Sequence, residues 1–347
     1  MAEKKENRTE LSELGEFGLI EHLTKNINIK GPGTIKGVGD DAAVIDTKDK
    51  LVLVSTDLLI EGVHFDMTYT PLKHLGYKAA VVNFSDIIAM NGVPTQMTVS
   101  ISVSNRYSLE ALEELYSGLL LACEKYNVDL VGGDTTTSLS GLYISVTALG
   151  EAEKNKIVYR DTAKKDDLIC VSGDLGGAYM GLMILEREKQ AFKADPDMQP
   201  DLQGYDYVIE RQLKPEARQD ILKILAGIDV QPTAMIDISD GLASDIMHIC
   251  KNSKLGCKLY EDKLPVNQDV MKAAMDFNIS SATAALNGGE DYELLITIAQ
   301  DDYEKVKDVM GISVIGHMTD QSEGMNLVTD TGEQIELKAQ GWDSLRK

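Results

Sequence analysis

The sequence predicts an α/β (α+β) chain of two domains, and three observations support this fold class. A length of 347 residues suggests about two domains. In both halves, short β-branched runs alternate with segments whose apolar residues recur at helical spacing, which is typical of mixed sheets and helices. The charged segment 150–156 lacks any periodicity. We therefore predict one domain over residues 1–150 and a second over 151–347.

The first half starts with a strand at 50–55, because this run (KLVLVS) is apolar and β-branched. The next segment keeps helical spacing until an Asn-Gly pair and a proline end it. A later helix begins near Ser108 and carries an apolar stripe that we expect to pack in the core: Leu109, Leu112, Leu115, Tyr116, Leu119 and Leu120. The predicted elements of this half are strands at 50–55, 96–103, 128–131 and 143–149, and helices at 75–90 and from 108.

The second half repeats the mixture of strands and helices. A polar stretch near three prolines (Pro196, Pro200 and Pro215) predicts an exposed insertion between its first helix and its later elements. The predicted elements are strands at 167–172, before Asp237 and at 294–298, helices at 178–189, 242–252 and 303–310, and a hairpin-like stretch at 316–337.

The composition excludes several classes of partner. The 56 Asp and Glu residues against 34 Lys and Arg give a formal charge of -22, which disfavours nucleic acid and anionic membrane surfaces. The apolar runs are far shorter than the roughly 20 residues of a spanning helix. The first segment has no apolar centre, so we expect a cytoplasmic protein. The four cysteines form no C-x-x-C pair and lie in apolar stretches, which predicts buried, reduced thiols.

Acidic residues recur at predicted strand ends and in Gly-rich turns, and this is the informative pattern. Each alone has an ordinary explanation, since Asp is a common N-cap and turn former. Their repetition indicates a shared site. The acidic residues lie in six stretches: Gly37–Ala43, Ser55–Asp57, Asn83–Asp86, Gly132–Thr136, Asp237–Gly241 and Gly288–Tyr292.

Carboxylate oxygens of this kind suit Mg²⁺ better than zinc, and an acidic Mg²⁺ site usually receives phosphates. Phosphoryl transfer is therefore the first functional hypothesis. The usual phosphate motifs are missing, however. The sequence has no G-x-x-x-x-G-K-[ST], no G-x-G-x-x-G after a strand, and no complete protein-kinase catalytic loop. An ATP site would have to be built from Mg²⁺, strand ends and turn amides.

Taken together, the motifs resemble those of the thiamine-monophosphate kinase family. Its superfamily includes aminoimidazole ribonucleotide synthetase, selenophosphate synthetase and a hydrogenase maturation protein. The selenophosphate branch is disfavoured because no cysteine precedes Cys123. The stretches that carry the resemblance run in family order: GEFGLIEHL at 15–23, VGDDAAV at 38–44, STDLLIEGVHF at 55–65, NFSDIIAMNGVP at 83–94, LVGGDTT at 130–136, IDISDGLASD at 236–245, GGEDYELL at 288–295 and QGWDSL at 340–345.

The resemblance implies a two-domain aminoimidazole ribonucleotide synthetase-like fold, with N-terminal strands pairing across a homodimer and the ATP clefts near that interface. It implies transfer of the γ-phosphoryl group of ATP to thiamine monophosphate, giving thiamine diphosphate and ADP, the last step of thiamine diphosphate biosynthesis. Because the acceptor is already an ionised phosphate, direct in-line transfer needs neither a base nor a covalent enzyme intermediate.

The resemblance also assigns residues, position by position. The ligands implied for several Mg²⁺ ions, direct or through water, are Asp41, Ser55, Thr56, Asp57, Asp86, Asp134, Asp237 and Asp240. Within this set the catalytic group is Asp57, Asp86, Asp134 and Asp237. The implied ATP contacts are Gly133, Asp134, Arg160 and Ser239, and the implied thiamine-monophosphate contacts are His64, Glu290 and Trp342. The motif leaves open whether Asp40 or Asp41 is the ligand, and we prefer Asp41.

Other interpretations remain open at this level. Arg160 could be a surface arginine, His64 a structural histidine, and Trp342 an anchor for the C-terminus. Glu290 could be a plain turn acceptor, although a carboxylate suits the cationic thiazolium ring of thiamine. The whole chain could be another ATP-dependent enzyme of the superfamily, of the ribonucleotide cyclo-ligase type. It could also be a non-catalytic acidic protein stabilised by metals.

Overall fold

The structure is a computed structural model that describes residues 34–36 and 39–339. The first motif of the resemblance, at 15–23, and the last, at 340–345 with Trp342, lie outside these residues. Their assignments therefore stay predictions.

The N-terminal part forms a six-stranded sheet in the order β1-β2-β3-β6-β4-β5. Strands β4 and β5 are parallel and the other neighbours are antiparallel. This order places β5 at one edge of the sheet. The strands are β1 (Thr34–Lys36), β2 (Ala43–Asp46), β3 (Leu51–Ile60), β4 (Val93–Val103), β5 (Asp129–Thr137) and β6 (Leu142–Ala152).

The C-terminal part forms a seven-stranded sheet in the order β13-β12-β9-β11-β7-β10-β8. Its edge strand β8 ends at Asp237, one of the predicted site residues. The strands are β7 (Leu168–Ser172), β8 (Ala234–Asp237), β9 (Leu255–Tyr260), β10 (Leu294–Ile298), β11 (Ile312–Asp320), β12 (Met325–Val328) and β13 (Gln334–Glu336).

Helices pack on both sheets. Helix α1 is buried on nearly all sides, as expected for a helix whose polar residues are not gathered on one face. The helices are α1 (Leu72–Ala89), α2 (Leu109–Tyr126), α3 (Gly177–Ala194), α4 (Asp206–Leu213), α5 (Gln219–Gly227), α6 (Leu242–Ser253), α7 (Gln268–Asp276), α8 (Ser281–Asn287) and α9 (Tyr303–Val306).

One hydrophobic cluster joins the two parts of the chain. It contains Leu53 and Ile87 from the first part together with Met235 and Ile296 from the second. Leu115 and Leu119 of the predicted α2 stripe are buried in it, whereas Leu109 and Leu120 of the same stripe are exposed. Because the core is continuous, the groups that α1 carries are held rigidly against both sheets.

Strands β3 and β5 extend further along the chain than the sequence predicts, and this corrects the placement of two motifs. Strand β3 continues to Ile60 and β5 to Thr137, so Asp57 and Asp134 lie inside strands and not at their ends. In β3 the burial alternates, with Leu53, Ser55 and Leu59 buried on one face. A strand can contain polar residues because the side chains point alternately to the two faces of the sheet. The backbone hydrogen bonds between strands do not depend on them.

All four cysteines are buried and free, which confirms the prediction of reduced thiols. Within residues 34–36 and 39–339, no helix combines the length and the apolarity needed to cross a membrane.

The crossing of α1 and α2 depends on two glycines that allow the backbones to touch. A Cβ atom added at Gly118 would lie 1.9 Å from the Lys73 carbonyl oxygen, and one at Gly76 would lie 1.9 Å from the Leu115 carbonyl oxygen. We expect Gly118→Ala to force the helices apart and to reduce the free energy of unfolding by about 1–3 kcal/mol, measured by urea denaturation. Gly227→Ala is the control, because no atom lies within 4 Å of its added Cβ. Equal stability of the two variants would contradict this account.

Candidate active site

Helix α1 presents polar side chains to both sheets. The Asn83 Oδ1 atom accepts a hydrogen bond from the Asp57 backbone N–H at 3.0 Å. The Ser85 hydroxyl donates to Asp237 Oδ2 at 2.5 Å. Asp86, on the same helix, accepts a hydrogen bond from the Ser55 hydroxyl. This one buried helix therefore fixes β3 of the first sheet and β8 of the second relative to each other.

Three carboxylates converge where these elements meet. Asp41, Asp86 and Asp237 each offer an oxygen, and these oxygens all lie within 4.8 Å of one another. The Asp41 Oδ2 atom is buried and has no hydrogen-bond partner among the described residues. Oxygen ligands grouped in this way, with one of them lacking a partner, fit a hard divalent cation. We call Asp41, Asp86 and Asp237 the acidic cluster.

The acidic cluster contains Asp41 and not its neighbour. The Asp40 carboxylate instead lies 2.7 Å from the Lys36 ammonium and 3.4 Å from Arg160 Nε. The geometry therefore favours Asp41 as the ligand of the two.

Burial and mutual repulsion raise the pKa values of these groups. Burial, followed by the charge of Asp237, raises the pKa of Asp57 to about 6. Burial is also the main cause that raises the pKa values of Asp41 and Asp86 well above their usual range, and it raises that of Asp237. A bound cation would offset this repulsion, because it favours the ionised form of every neighbouring carboxylate.

Arg160 lies beside the acidic cluster and is not a surface arginine. It forms an ion pair with Asp41, and its side chain is largely buried. Arg160 therefore supplies positive charge where phosphate groups would meet the cluster, which is consistent with its predicted role as an ATP contact.

A second group of possible ligands lies on the following loop and helix. Asp240, Asp245 and His248 bring ligand atoms within 4.8 Å of one another. Burial, then the charges of Arg160 and Lys251, lowers the pKa of His248 to about 4, so its imidazole is neutral. Of these three residues, only Asp240 was predicted from the sequence. The i,i+3 spacing of Asp245 and His248 at the start of α6 was the available signal for the other two.

Thr56 and Asp134 do not join the acidic cluster within one chain. Asp134 pairs with Ser100, Ser100 with Ser145, and Ser145 with Leu58, so these four form a row across the sheet. Three strand spacings separate Asp134 from β3, which is about 14 Å. Thr56 shares the face of Leu58, whereas Asp57 points to the opposite face. Asp134 and the neighbouring β5 residues are exposed.

A cavity of about 500 Å³ lies beside the exposed strand β5. Tyr116 of α2 lines it together with 130–135, which include Gly133 and Asp134. Tyr116 also packs against the hydrophobic cluster, as its place in the predicted apolar stripe of α2 indicates. A Cβ atom at Gly133 would lie 1.9 Å from the Val99 carbonyl oxygen, so this position needs glycine.

The loop of Ser239 and the loop of Glu290 are joined by backbone hydrogen bonds. The Glu290 N–H donates to the Ser239 carbonyl at 2.8 Å, and the Tyr292 N–H donates to the Ile238 carbonyl at 2.9 Å. Glu290 and Tyr292 have φ angles of 65° and 52°, in the left-handed region. Such a conformation costs about 1–3 kcal/mol for a non-glycine residue and is concentrated at functional sites.

Asp291, between these two strained residues, anchors the loop. Its carboxylate accepts hydrogen bonds from the Gly176 and Ala178 N–H groups at 2.6 and 3.2 Å, at the start of α3. Burial raises the pKa of Asp291 to about 6. Asp291 therefore has a structural role, and the Glu290 side chain beside it is partly exposed next to Lys78 of α1 and Gln212 of α4.

His64 lies in an exposed loop after β3. Its Nδ1 atom accepts a hydrogen bond from the Ile60 N–H at 2.9 Å. In the neutral imidazole the proton is then on Nε2, which can donate to an anion. This geometry is compatible with the predicted contact to a phosphorylated substrate.

The described residues thus combine a buried carboxylate cluster, an arginine, a glycine-lined cavity and a rigid Glu290 loop. Comparison with known proteins identifies the family. The chain matches "AIR synthase related protein, N-terminal domain" over residues 39–152 and the corresponding C-terminal domain over 164–326.

Two relatives and one solved structure are similar over nearly the whole chain. Thiamine-monophosphate kinase of Bacillus subtilis (strain 168) is 30% identical over 339 residues, covering 96% of this chain and 100% of the relative. That of Buchnera aphidicola subsp. Schizaphis graminum (strain Sg) is 36% identical over 340 residues, covering 95% and 99%. The structure of AaThiL complexed with AMPPCP and TMP has a TM-score of 0.82 at 33% identity, covering 97% of this chain and 99% of that one.

These similarities confirm the predicted two-domain α/β fold class and the resemblance seen in the motifs. The chain belongs to the thiamine-monophosphate kinase family of AIR synthase related proteins.

Proposed function

We propose that the chain transfers the γ-phosphoryl group of ATP to thiamine monophosphate, giving thiamine diphosphate and ADP. The observation that carries this proposal is the acidic cluster, in which three carboxylates from separate elements converge and one buried oxygen lacks a hydrogen-bond partner. The names of the relatives support thiamine monophosphate as the phosphoryl acceptor. AaThiL was solved in complex with TMP and with AMPPCP, which is an ATP analogue.

The donor set fits Mg²⁺. Asp41, Asp86 and Asp237 would hold one ion, with Ser55 and Asp57 beside them, and Asp240 lies in the second group of ligands. Bound Mg²⁺ would neutralise phosphoryl oxygens and hold the two phosphate groups in line.

The side chains of the protein then bind and orient the two substrates. Arg160 donates to phosphate oxygens of ATP, and His64 donates from Nε2 to the phosphate of thiamine monophosphate. Ser239 contacts ATP from the loop that meets Glu290. A phosphate oxygen of the acceptor attacks the γ-phosphorus, a new P–O bond forms, and the bond to the β-phosphate oxygen breaks to release ADP. No proton needs to be removed from the acceptor, because it is already ionised.

We further propose that the active enzyme is a homodimer that places Asp134 in the partner's site. Within the described part of the chain, the sheet face that carries Thr56 is left partly open, and Leu58 on it is 51% exposed. Val131 on the edge strand is 59% exposed. Asp134 lies on this same face, about 14 Å from β3 of its own chain, so a second copy packed face to face would bring its own Asp134 next to Thr56, the chain neighbour of Asp57.

The activity is tested by incubating the protein with ATP and thiamine monophosphate and identifying thiamine diphosphate by mass spectrometry. We expect stoichiometric thiamine diphosphate and ADP with Mg²⁺, and no product after the metal is chelated. ATP consumption without thiamine diphosphate would favour the cyclo-ligase alternative. The absence of ATP turnover under saturating substrates would favour a non-catalytic protein and would remove the proposal.

Asp57 gives a pH-dependent test of the metal site. Its folded-state pKa of about 6 exceeds the usual value of 3.8, so its contribution to stability is complete below about pH 4 and is lost as the pH rises through 6. In EDTA, we expect wild-type protein to lose about 5 °C of melting temperature relative to Asp57→Asn over this range. At neutral pH, Mg²⁺ should stabilise wild type more than the variant. Parallel melting curves in EDTA would contradict the burial of this charge.

Mixed dimers test the role of Asp134. We expect Asp57→Asn and Asp134→Asn each to lose at least about a hundredfold of turnover while folding normally, because an amide keeps the shape but not the charge. If Asp134 acts in the partner's site, unfolding and refolding the two inactive variants together should restore about a quarter of wild-type activity, since half the dimers contain one intact site. No recovery, with mixed dimers verified by differential tagging, would place both residues in a site of one chain.

A further inference from the structure

The Glu290 carboxylate is held by two partners from separate helices. The Lys78 ammonium of α1 lies 3.0 Å from Glu290 Oε1. The Gln212 side-chain amide of α4 donates to Glu290 Oε2 at 2.8 Å. Lys78 also donates to the Gln212 backbone carbonyl at 3.0 Å, which ties the two partners together. Each carboxylate oxygen thus has one partner among the described residues and retains acceptor capacity for a ligand.

The two charged side chains differ in burial. The Lys78 side chain is only 6% exposed, whereas that of Glu290 is 31% exposed. The lysine is therefore the more deeply buried of the two, and the carboxylate is the group that a ligand can reach. A buried lysine is nearly always paired, since an isolated ammonium is costly to remove from water.

The backbone leaves Glu290 little freedom to turn away. Gly289 on one side lies against the Ser239 carbonyl, where an added Cβ would be 2.4 Å from the oxygen. On the other side Asp291 is fixed at the start of α3 by two hydrogen bonds. The carboxylate orientation therefore depends mainly on Lys78 and Gln212.

The charge balance restricts what the Glu290 carboxylate can recognise. Its negative charge is already compensated by the Lys78 ammonium. A second cation placed against the same carboxylate would also lie within a few ångströms of that ammonium, and like charges at this separation repel. A neutral N–H donor adds no net charge and can use the remaining acceptor positions.

We propose that Lys78 is a positioning residue that orients and neutralises Glu290, so that this carboxylate binds the neutral pyrimidine amino group of the substrate and not its thiazolium cation. The inference rests on the proposed function. It assigns to Lys78 and Gln212 a role in selecting the substrate, although neither needs to touch the reacting phosphates.

Lys78→Met tests this role, with KM for thiamine monophosphate and for ATP measured separately. We expect KM for thiamine monophosphate to rise about tenfold to a hundredfold, while KM for ATP and kcat change by less than about threefold. Lys125→Met is the matched control, because the Lys125 ammonium also pairs with a glutamate, 2.6 Å from Glu216 Oε2, but its side chain is 49% exposed. The control should leave all three constants unchanged.

A direct contact of Glu290 with the thiazolium cation predicts the opposite change in KM. If Glu290 balances the thiazolium charge, removing Lys78 leaves the carboxylate uncompensated, and KM for thiamine monophosphate should fall. An unchanged or lowered KM in Lys78→Met would overturn the proposal.

Substrate analogues identify the group that Glu290 binds. The first is the analogue of thiamine monophosphate with a carbonyl oxygen in place of the pyrimidine amino group, and the second has an uncharged ring in place of the thiazolium. We expect wild type to discriminate against the first about tenfold or more and Lys78→Met to lose most of this preference. If the variant instead changes discrimination against the uncharged-ring analogue alone, the proposal is wrong.

Folding is checked by circular dichroism and melting temperature. If Lys78→Met does not fold, Gln212→Leu decides the question, because it removes the hydrogen bond to Oε2 without changing any charge. It should show the same rise in KM for thiamine monophosphate, and an unchanged KM would overturn the proposal. Failure of the proposed function is recognised separately, since wild-type protein would then make no thiamine diphosphate.

Discussion

The repulsion among carboxylates buried between two sheets is the constraint on which the rest of the structure depends. Asp41, Asp86 and Asp237 come from a loop, a helix and a strand end, and each is stable there only because other groups compensate it. Arg160 supplies a charge and Ser85 a hydrogen bond, but burial still raises the pKa values of Asp41 and Asp86 well above their usual range. The fold concentrates charge at the place where it is least favourable without a cation, so the proposed metal with its phosphates would stabilise the structure as well as serve the reaction.

A continuous core makes this arrangement possible. The cluster that contains Leu53 and Ile87 also contains Met235 and Ile296, so the sheets are not free to separate and relieve the repulsion. The same core holds α1, which carries Asn83, Ser85 and Asp86 toward the acidic cluster. Apolar packing around α1 thereby offsets the electrostatic cost of the polar residues that it delivers.

Much of the site could be predicted from the sequence because its residues occur in short motifs. Asp86 and Asp237 were identified from local patterns, and the structure brings them together. The separation of Asp134 from Asp57 could not be predicted, because it follows from the strand order β3-β6-β4-β5, which depends on long-range pairing. His248 was missed since its partner Asp240 lies eight positions earlier in the sequence, across a turn. Lys78 was missed because a lysine within an apolar helical run carries no motif.

Helix α1 also determines where the chain can tolerate a change of length. Inserting or deleting one residue within Leu72–Ala89 would rotate every later side chain by about 100° around the helix axis. Lys78 would then change its angular position around the helix relative to Asn83 and Asp86. A single insertion or deletion would therefore disturb contacts to both proposed substrates. The exposed stretch at 195–204 contacts none of these groups and can change length without such coupling. Insertions and deletions among related sequences should therefore accumulate in that stretch and be purged from α1.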